Sequence, residues 1–242
     1  MSESDDVRAK SCGSPDRWTR ALRYTSLWGA TVRMQSGRVQ VQVCRKAEVA
    51  VPTLKNQLRE EISTKRRDMS PFAREQAAGD LADWIYAAPF RLEYDVTVAA
   101  YVPIGTEPGS PAMLDALVDR GVSVLVPIVP DGDPAPLDWV RYDGATTLQP
   151  RRWGLLEPSG ERLGTDAVHA ASVVLVPALA VDKTGVRLGR GAGYYDRTLI
   201  GSSAELVAVV YDDEVVDALP SGNYDVPVGW ALTPAGGFRK LS

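Results

Sequence analysis

The chain has 242 residues, 45% of them hydrophobic and 24% charged, which is enough to bury a core in one domain. Its formal net charge of -4 argues against a general nucleic-acid binder. A single histidine (His169) excludes a multi-histidine metal site and leaves His169 as the one residue on which Ser-His-Asp or Cys-His chemistry could be built, while two cysteines (Cys12 and Cys44) suggest neither a disulfide framework nor a zinc site. No apolar run reaches the ~18 residues of a membrane span and no signal-peptide core is present, so a reducing, cytoplasmic setting is expected.

Residues 1–50 differ from the remainder. Met1 to Arg20 is polar and charged, with Gly13 and Pro15 and no sustained period. Arg38 to Val43 alternates as a half-buried strand does, but nothing nearby in the sequence offers it a partner. The segment reads as a poorly ordered extension, consistent with a start codon placed too early, and residues 51–242 as the domain proper.

The domain opens with a helix whose Leu54, Leu58 and Ile62 share one face, with Thr53 as its N-cap. Lys55 and Arg59, four apart, lie on a neighbouring face and can address one anion. Ser70-Pro71 starts a second helix that runs to about Ala88. A strand from Asp95 to Val102, the loop Pro103 to Pro108, a helix from Ser110-Pro111 to Gly121 and a strand from Val122 to Pro127 follow. Apolar runs in strand–helix–strand order indicate parallel pairing. Leu137 to Tyr142 reads as a less buried strand, and Trp153 to Pro158 as a loop. Ser172 to Pro177 is a buried strand, Ala178 to Val186 a loop, Tyr194 to Leu199 a helix start and Glu205 to Tyr211 a further strand. The predicted fold is one three-layer α/β/α domain with a mostly parallel sheet, its ligands bound beyond the carboxyl ends of the strands.

The chemistry concentrates in Arg187-Leu188-Gly189-Arg190-Gly191-Ala192-Gly193-Tyr194-Tyr195-Asp196-Arg197. Three glycines at alternate positions let backbone N–H groups approach a ligand, and the interleaved arginines supply planar forks for phosphate oxygens. Asp196 adds a hard oxygen ligand of the type Mg²⁺ takes when it rides on a nucleotide. The string is neither a Walker A loop nor a dinucleotide fingerprint, whose last glycine is here Tyr194. Other candidates lie at equivalent strand ends: Val102 and Glu107, Trp153, Asp182, and Asp225 in the late Tyr224–Pro227 loop. Each also has an ordinary explanation. Glu107 can be an exposed acid, Trp153 a core anchor, Lys55 and Arg59 a solvated helix face, Asp225 a turn residue and His169 a structural one.

The full Arg-Leu-Gly-Arg-Gly-x-Gly-Tyr-Tyr-Asp-Arg string resembles the signature of the 5-formyltetrahydrofolate cyclo-ligase (methenyltetrahydrofolate synthetase) family. The resemblance runs from about residue 53 to 234 through Lys55-x-x-Leu58-Arg59, Tyr101-Val102-Pro103 to Glu107, Trp153-Gly154 with Glu157-Pro158, Val176-Pro177, Asp182, Gly185 and Asp225-Val226-Pro227. It departs at Ser110-Pro111, where the family has Thr, at Val181 for Phe, and at Gly229 for a second acid.

The resemblance implies an ATP- and Mg²⁺-dependent ligase on a fold similar to sugar-phosphate isomerases and CoA-transferases, acting on small molecules as a monomer without nucleic-acid or membrane partners. It implies that Lys55, Arg59 and residues 187 to 195 (Arg187, Leu188, Gly189, Arg190, Gly191, Ala192, Gly193, Tyr194 and Tyr195) hold ATP. Val102, Glu107, Trp153, Arg190 and Tyr194 would address the folate, Asp196 and Asp225 the metal, and Arg190, Lys55 and Tyr194 the catalytic work. Two other readings remain open from the residues: an isomerase- or transferase-like enzyme that needs no ATP, and a non-catalytic folate- or nucleotide-binding protein.

Overall fold

Residues 30–35, 38–43, 51–150, 156–222 and 224–242 are described by a computed structural model, and the chain divides into two units, 1–49 and 50–242. In the first unit β1 (Ala30–Gln35) pairs antiparallel with β2 (Arg38–Val43), Val32 facing Val41. The expected strand therefore exists but is not partnerless. Its partner alternates Ala30, Val32 and Met34 with Thr31, Arg33 and Gln35, the same period of two, and that signal was missed in the sequence.

In the second unit α1 spans Val51–Asp68, so Thr53 is not its cap. Pro52 falls in the first turn, where backbone N–H groups have no intrahelical acceptor and a proline costs nothing. α2 (Pro71–Tyr86) is capped by Ser70, whose hydroxyl accepts from Ala73 N at 3.1 Å, and buries Ala77, Leu81 and Ile85 at four-residue steps. β3 is only Thr97–Ala99, because Asp95 takes a left-handed φ of 75° before it. α3 (Pro111–Asp119) ends ahead of Gly121, whose φ of 81° suits a helix stop, and β4 is Ser123–Ile128.

β5 (Asp138–Arg141) follows, then a ribbon of β6 (Leu148–Pro150) and β7 (Leu156–Pro158), where a loop was expected. After β8 (Val173–Pro177), the expected loop is in part a hairpin of β9 (Ala180–Asp182) and β10 (Arg187–Leu188). α4 is the single turn Tyr194–Thr198, and β11 (Glu205–Val209) and β12 (Val215–Val216) precede a closing hairpin. That hairpin, β13 (Trp230–Thr233) and β14 (Gly237–Lys240), carried no sequence expectation.

The main sheet runs β14-β13-β11-β8-β3-β4-β5, parallel across its five inner strands and antiparallel at both edges. Alternation along its strands sends side chains to two cores. Val98, Val124, Val173 and Leu175 join Leu81, Ile85 and Leu114 of α2 and α3 on one face. Ala99, Leu125, Val174 and Val176 join Trp139, Val168 and Leu199 on the other. The three layers are as expected, although the second outer layer is built from the 3-10 segment Thr165–Ala170 and short turns instead of long helices. A small side sheet, β10-β9-β12, packs Leu179, Ala180 and Leu188 against Leu58 and Ile62 of α1. No helix among the described residues is long and apolar enough to cross a membrane.

Candidate active site

The carboxyl ends of β3, β4 and β8 open into a cleft of about 980 Å³, closed on one side by α1 and on the other by residues 187–202 and 224–227. It collects Lys55, Arg59, Val102, Glu107, the whole run 187–197 and Asp225 in one place. Trp153 and Gly154 lie outside the described residues. Among the described residues, six cationic side chains (Lys55, Arg59, Arg66, Arg187, Arg190, Arg197) line it against four carboxylates (Glu107, Glu157, Asp196, Asp225), although the chain as a whole carries a charge of -4. A cleft locally positive in an acidic protein favours an anionic ligand.

The charges are wired in pairs. Lys55 Nζ lies 2.6 Å from Asp225 Oδ2, which also accepts Gly222 N at 2.8 Å. Burial alone would raise the Asp225 pKa, but the Lys55 and Gly222 donors hold it below the ordinary carboxylate value. Arg187 Nη2 donates to Asp196 Oδ1 at 2.7 Å and its Nη1 to Val226 O, which leaves the guanidinium buried. Asp196 Oδ1 also accepts Val226 N at 3.3 Å, so the two acids expected at the metal sit on neighbouring, mutually braced segments.

Arg190 Nε stands 3.0 Å from Glu107 Oε1, and Ile104 N donates to Glu107 Oε2 at 3.0 Å. Burial pushes the Glu107 carboxyl above its ordinary range, with Arg190 and the Ile104 amide offsetting part of the rise. Arg59 donates from Nε to Gly189 O at 2.9 Å and from Nη1 to Asn56 at 2.7 Å. Gly191 and Gly193 have φ of 104° and 74°, a conformation that only glycine adopts readily. A Cβ on Gly191 would come within 3.2 Å of the Arg59 guanidinium. The loop thus folds closely around the arginine of α1. α4 behind it has one turn, so it brings little of the dipole expected from a full helix.

Tyr195 and Tyr101 are both raised above the ordinary phenol range, first by burial and then by the charge of Glu107. Tyr101 OH donates to Pro108 O and so braces the loop that carries Glu107. Tyr194 is half-buried beside the second core cluster. Asp182, named among the candidates, is turned away from ligand duty: it accepts Thr184 N, Val186 N and Leu219 N at 2.9, 3.0 and 2.9 Å. Sequence reasoning missed Arg66, although its spacing from Lys55, Arg59 and Ile62 already placed it on the same helical stripe.

Residues 52–234 match the model of the 5-formyltetrahydrofolate cyclo-ligase family. The chain is similar to a 5-formyltetrahydrofolate cyclo-ligase of Mycolicibacterium smegmatis, 43% identical over 78% of this chain and 98% of that one. It is similar as well to the Escherichia coli cyclo-ligase, 25% identical over 72% of this chain and 97% of that one. Among solved structures, the 5,10-methenyltetrahydrofolate synthetase of Aquifex aeolicus superposes with a TM-score of 0.65 at 28% identity, covering 78% of this chain and 93% of that chain. The Mycoplasma pneumoniae synthetase shares the fold, with a TM-score of 0.56 at 19% identity over 73% and 96% of the two chains.

Proposed function

The chain belongs to the 5-formyltetrahydrofolate cyclo-ligase family, and from that premise we propose that it converts 5-formyltetrahydrofolate to 5,10-methenyltetrahydrofolate, with ATP as phosphoryl donor and Mg²⁺ as the counter-ion. The formyl oxygen is a poor leaving group. In the proposed reaction it attacks the γ-phosphorus and ADP departs; N-10 then attacks the activated carbon and gives up its proton to solvent, and that carbon loses the oxygen as phosphate. The protein needs no nucleophile for this, only in-line placement and charge neutralisation. The observation that carries the reading is the paired wiring of one electropositive cleft: Arg190 on Glu107, Lys55 on Asp225 and Arg187 on Asp196.

Lys55 and Arg59 are assigned to the triphosphate, with the amides of Gly191 and Gly193. Arg187, buried on Asp196, holds that carboxylate in place and meets phosphate only through it. Arg190, about half exposed at the cleft and paired with Glu107, is assigned to the transferring phosphoryl. Glu107 is assigned to the hydrogen-bond donors of the reduced pterin, and Val102 and Tyr194, which line the same cleft, to its remaining contacts.

The donor set suits a divalent cation that arrives on a nucleotide. Among the described residues no cluster of three metal-binding side chains exists, yet Asp196 and Asp225 bind their arginine and lysine through Oδ1 and Oδ2 respectively, which leaves a second oxygen on each for the ion. Mg²⁺ bound there would neutralise charge on the phosphates.

The test is a mixture of purified protein, 5-formyltetrahydrofolate, ATP and Mg²⁺ followed by methenyl-folate absorbance and ADP release. Equal formation of the two products, and none without ATP, is the expected result. Folded protein that forms no methenyl product, or forms it without consuming ATP, overturns the reading.

A further inference from the structure

Lys55, Arg59, Ile62 and Arg66 recur at steps of four, three and four residues and form one stripe along α1. At one end of the stripe Lys55 reaches Asp225, and in the middle Arg59 reaches Gly189 O. Leu58 and Ile62 pack on Leu179, Ala180 and Leu188. At the far end Arg66, only 2% exposed, forks onto Glu214 through Nε–Oε1 at 2.6 Å and Nη2–Oε2 at 2.7 Å. The same Nη2 donates to Ala178 O at 2.7 Å, directly after β8. Glu214 Oε2 also accepts Tyr211 N at 2.7 Å, and the guanidinium lies 5.4 Å from the Tyr211 ring centroid.

Apolar contacts such as those of Leu58 and Ile62 hold a helix at a distance but leave its rotation weakly defined, because they are not directional. A planar fork on a fixed carboxylate is directional. For a helix whose side-chain tips lie ~6 Å from its axis, a turn of about 10° moves those tips by about 1 Å. A displacement of that size is enough to cost ~100-fold in a positioned reaction.

We propose that Arg66 is a positioning residue: its fork on Glu214 and Ala178 fixes the rotational setting of α1 and thereby the places of Lys55 and Arg59 at the nucleotide phosphates. The proposal rests on the ligase reading. It assigns no contact between Arg66 and substrate. Its work is done through the two cations that share its stripe.

Arg66→Lys keeps the charge and loses the fork, and Glu214→Gln keeps an acceptor for Tyr211 N while breaking the two-point contact. Both are compared with the parent in steady-state assays well below their melting midpoints. The expected result is a KM for ATP raised about tenfold or more, with the KM for the folate within about twofold, since only the stripe-borne contacts are displaced. Direct ATP titration should show the same loss. If either variant folds and keeps parental ATP affinity, or if both KM values rise together in step with lost thermal stability, Arg66 is only a core ion pair and the proposal falls. A parent without ATP-dependent ring closure overturns the ligase reading and this proposal with it; an active parent with unaffected variants overturns this proposal alone.

Discussion

Arg190 Nε lies 3.0 Å from Glu107 Oε1, and the two side chains differ sharply in exposure, 55% for the arginine and 8% for the acid. The pair joins the loop after β3 to the glycine loop after β10. It also joins the two halves of the proposed reaction, because the carboxylate assigned to the pterin neutralises the guanidinium assigned to the phosphoryl group. A pterin would offer donors to Glu107, and a phosphoryl group acceptors to Arg190, so in the proposed reaction each ligand would substitute for one member of the pair and free the other.

The first expected outcome follows from that exchange. Arg190→Ala should lower turnover by about two orders of magnitude or more, the scale of removing an electrostatic stabiliser. Arg190→Lys should fall between the variant and the parent because it keeps charge without the planar fork. Arg190→Ala also leaves the buried Glu107 without its cation, so its stability should fall by about 1–3 kcal/mol, and rates are compared well below the melting midpoint. In the parent, bound folate should tighten nucleotide binding about fivefold or more, and Glu107→Gln should abolish that coupling. Near-parental ring closure by a folded Arg190→Ala protein would exclude the assigned role.

The parallel sheet was legible because Val173 to Pro177 and Ser123 to Pro127 are continuous apolar runs, which a strand covered on both faces requires. The closing β13–β14 hairpin was not, since Trp230 to Thr233 is short and β14 carries Arg239 and Lys240 on an exposed edge. The phosphate-binding candidates were visible as residue types at fixed spacing. Their pairing was not: that Arg187 is buried on Asp196, nine residues away, depends on how the loop closes over Val226. Nor could one sequence show that Asp182 spends its carboxylate on Thr184, Val186 and Leu219, because Leu219 arrives from a distant segment.

Residues 1–50 supply a second test. All of them precede the family match, which begins at residue 52, and residues 1–49 fall outside the unit that contains the cleft. A chain beginning at Val51 should keep its melting temperature and its turnover. A loss of more than about 2 kcal/mol in a denaturant titration, the scale of a core defect, would show that the segment supports the domain.

Asp182 and Gly185 make a stability prediction with a pH sign. Burial on its own would raise the Asp182 pKa, but donors from Thr184, Leu219 and Val186 hold it below its ordinary 3.8. A folded value below the unfolded one means that the stabilisation is complete above pH 3.8 and disappears as pH falls through the folded value. Asp182→Asn should therefore cost about 2–3 kcal/mol at neutral pH, the worth of hydrogen bonds to a charged group, and the gap from the parent should narrow only in acid. Gly185 has φ 88°, and a Cβ there would meet Val228 O at 2.2 Å. Gly185→Ala should cost about 2–4 kcal/mol, since strain and overlap add. Urea titrations between neutral and acidic pH check both, and a constant gap for Asp182→Asn would refute the ionic account.

The last prediction concerns the two acids assigned to Mg²⁺. Asp196 and Asp225 sit on adjacent segments tied through Val226, and each already neutralises a cation, Arg187 or Lys55. Removing either charge therefore has two separable consequences. Asp196→Asn leaves the buried Arg187 with a neutral partner, so stability should fall by about 1–3 kcal/mol as well as activity. Asp225→Asn releases Lys55, which is only partly buried, so its stability cost should be smaller. Both should reduce ATP-dependent turnover about tenfold to a hundredfold while leaving folate binding within about twofold, the range seen when groups around a metal are altered. Raising Mg²⁺ should recover part of the lost rate in both variants, because a weakened site refills by mass action. Arg190→Ala, whose defect is not in metal affinity, should show no such recovery. Folded Asp196→Asn and Asp225→Asn proteins that lose folate and nucleotide binding equally, with no response to Mg²⁺, would remove the metal from these two carboxylates.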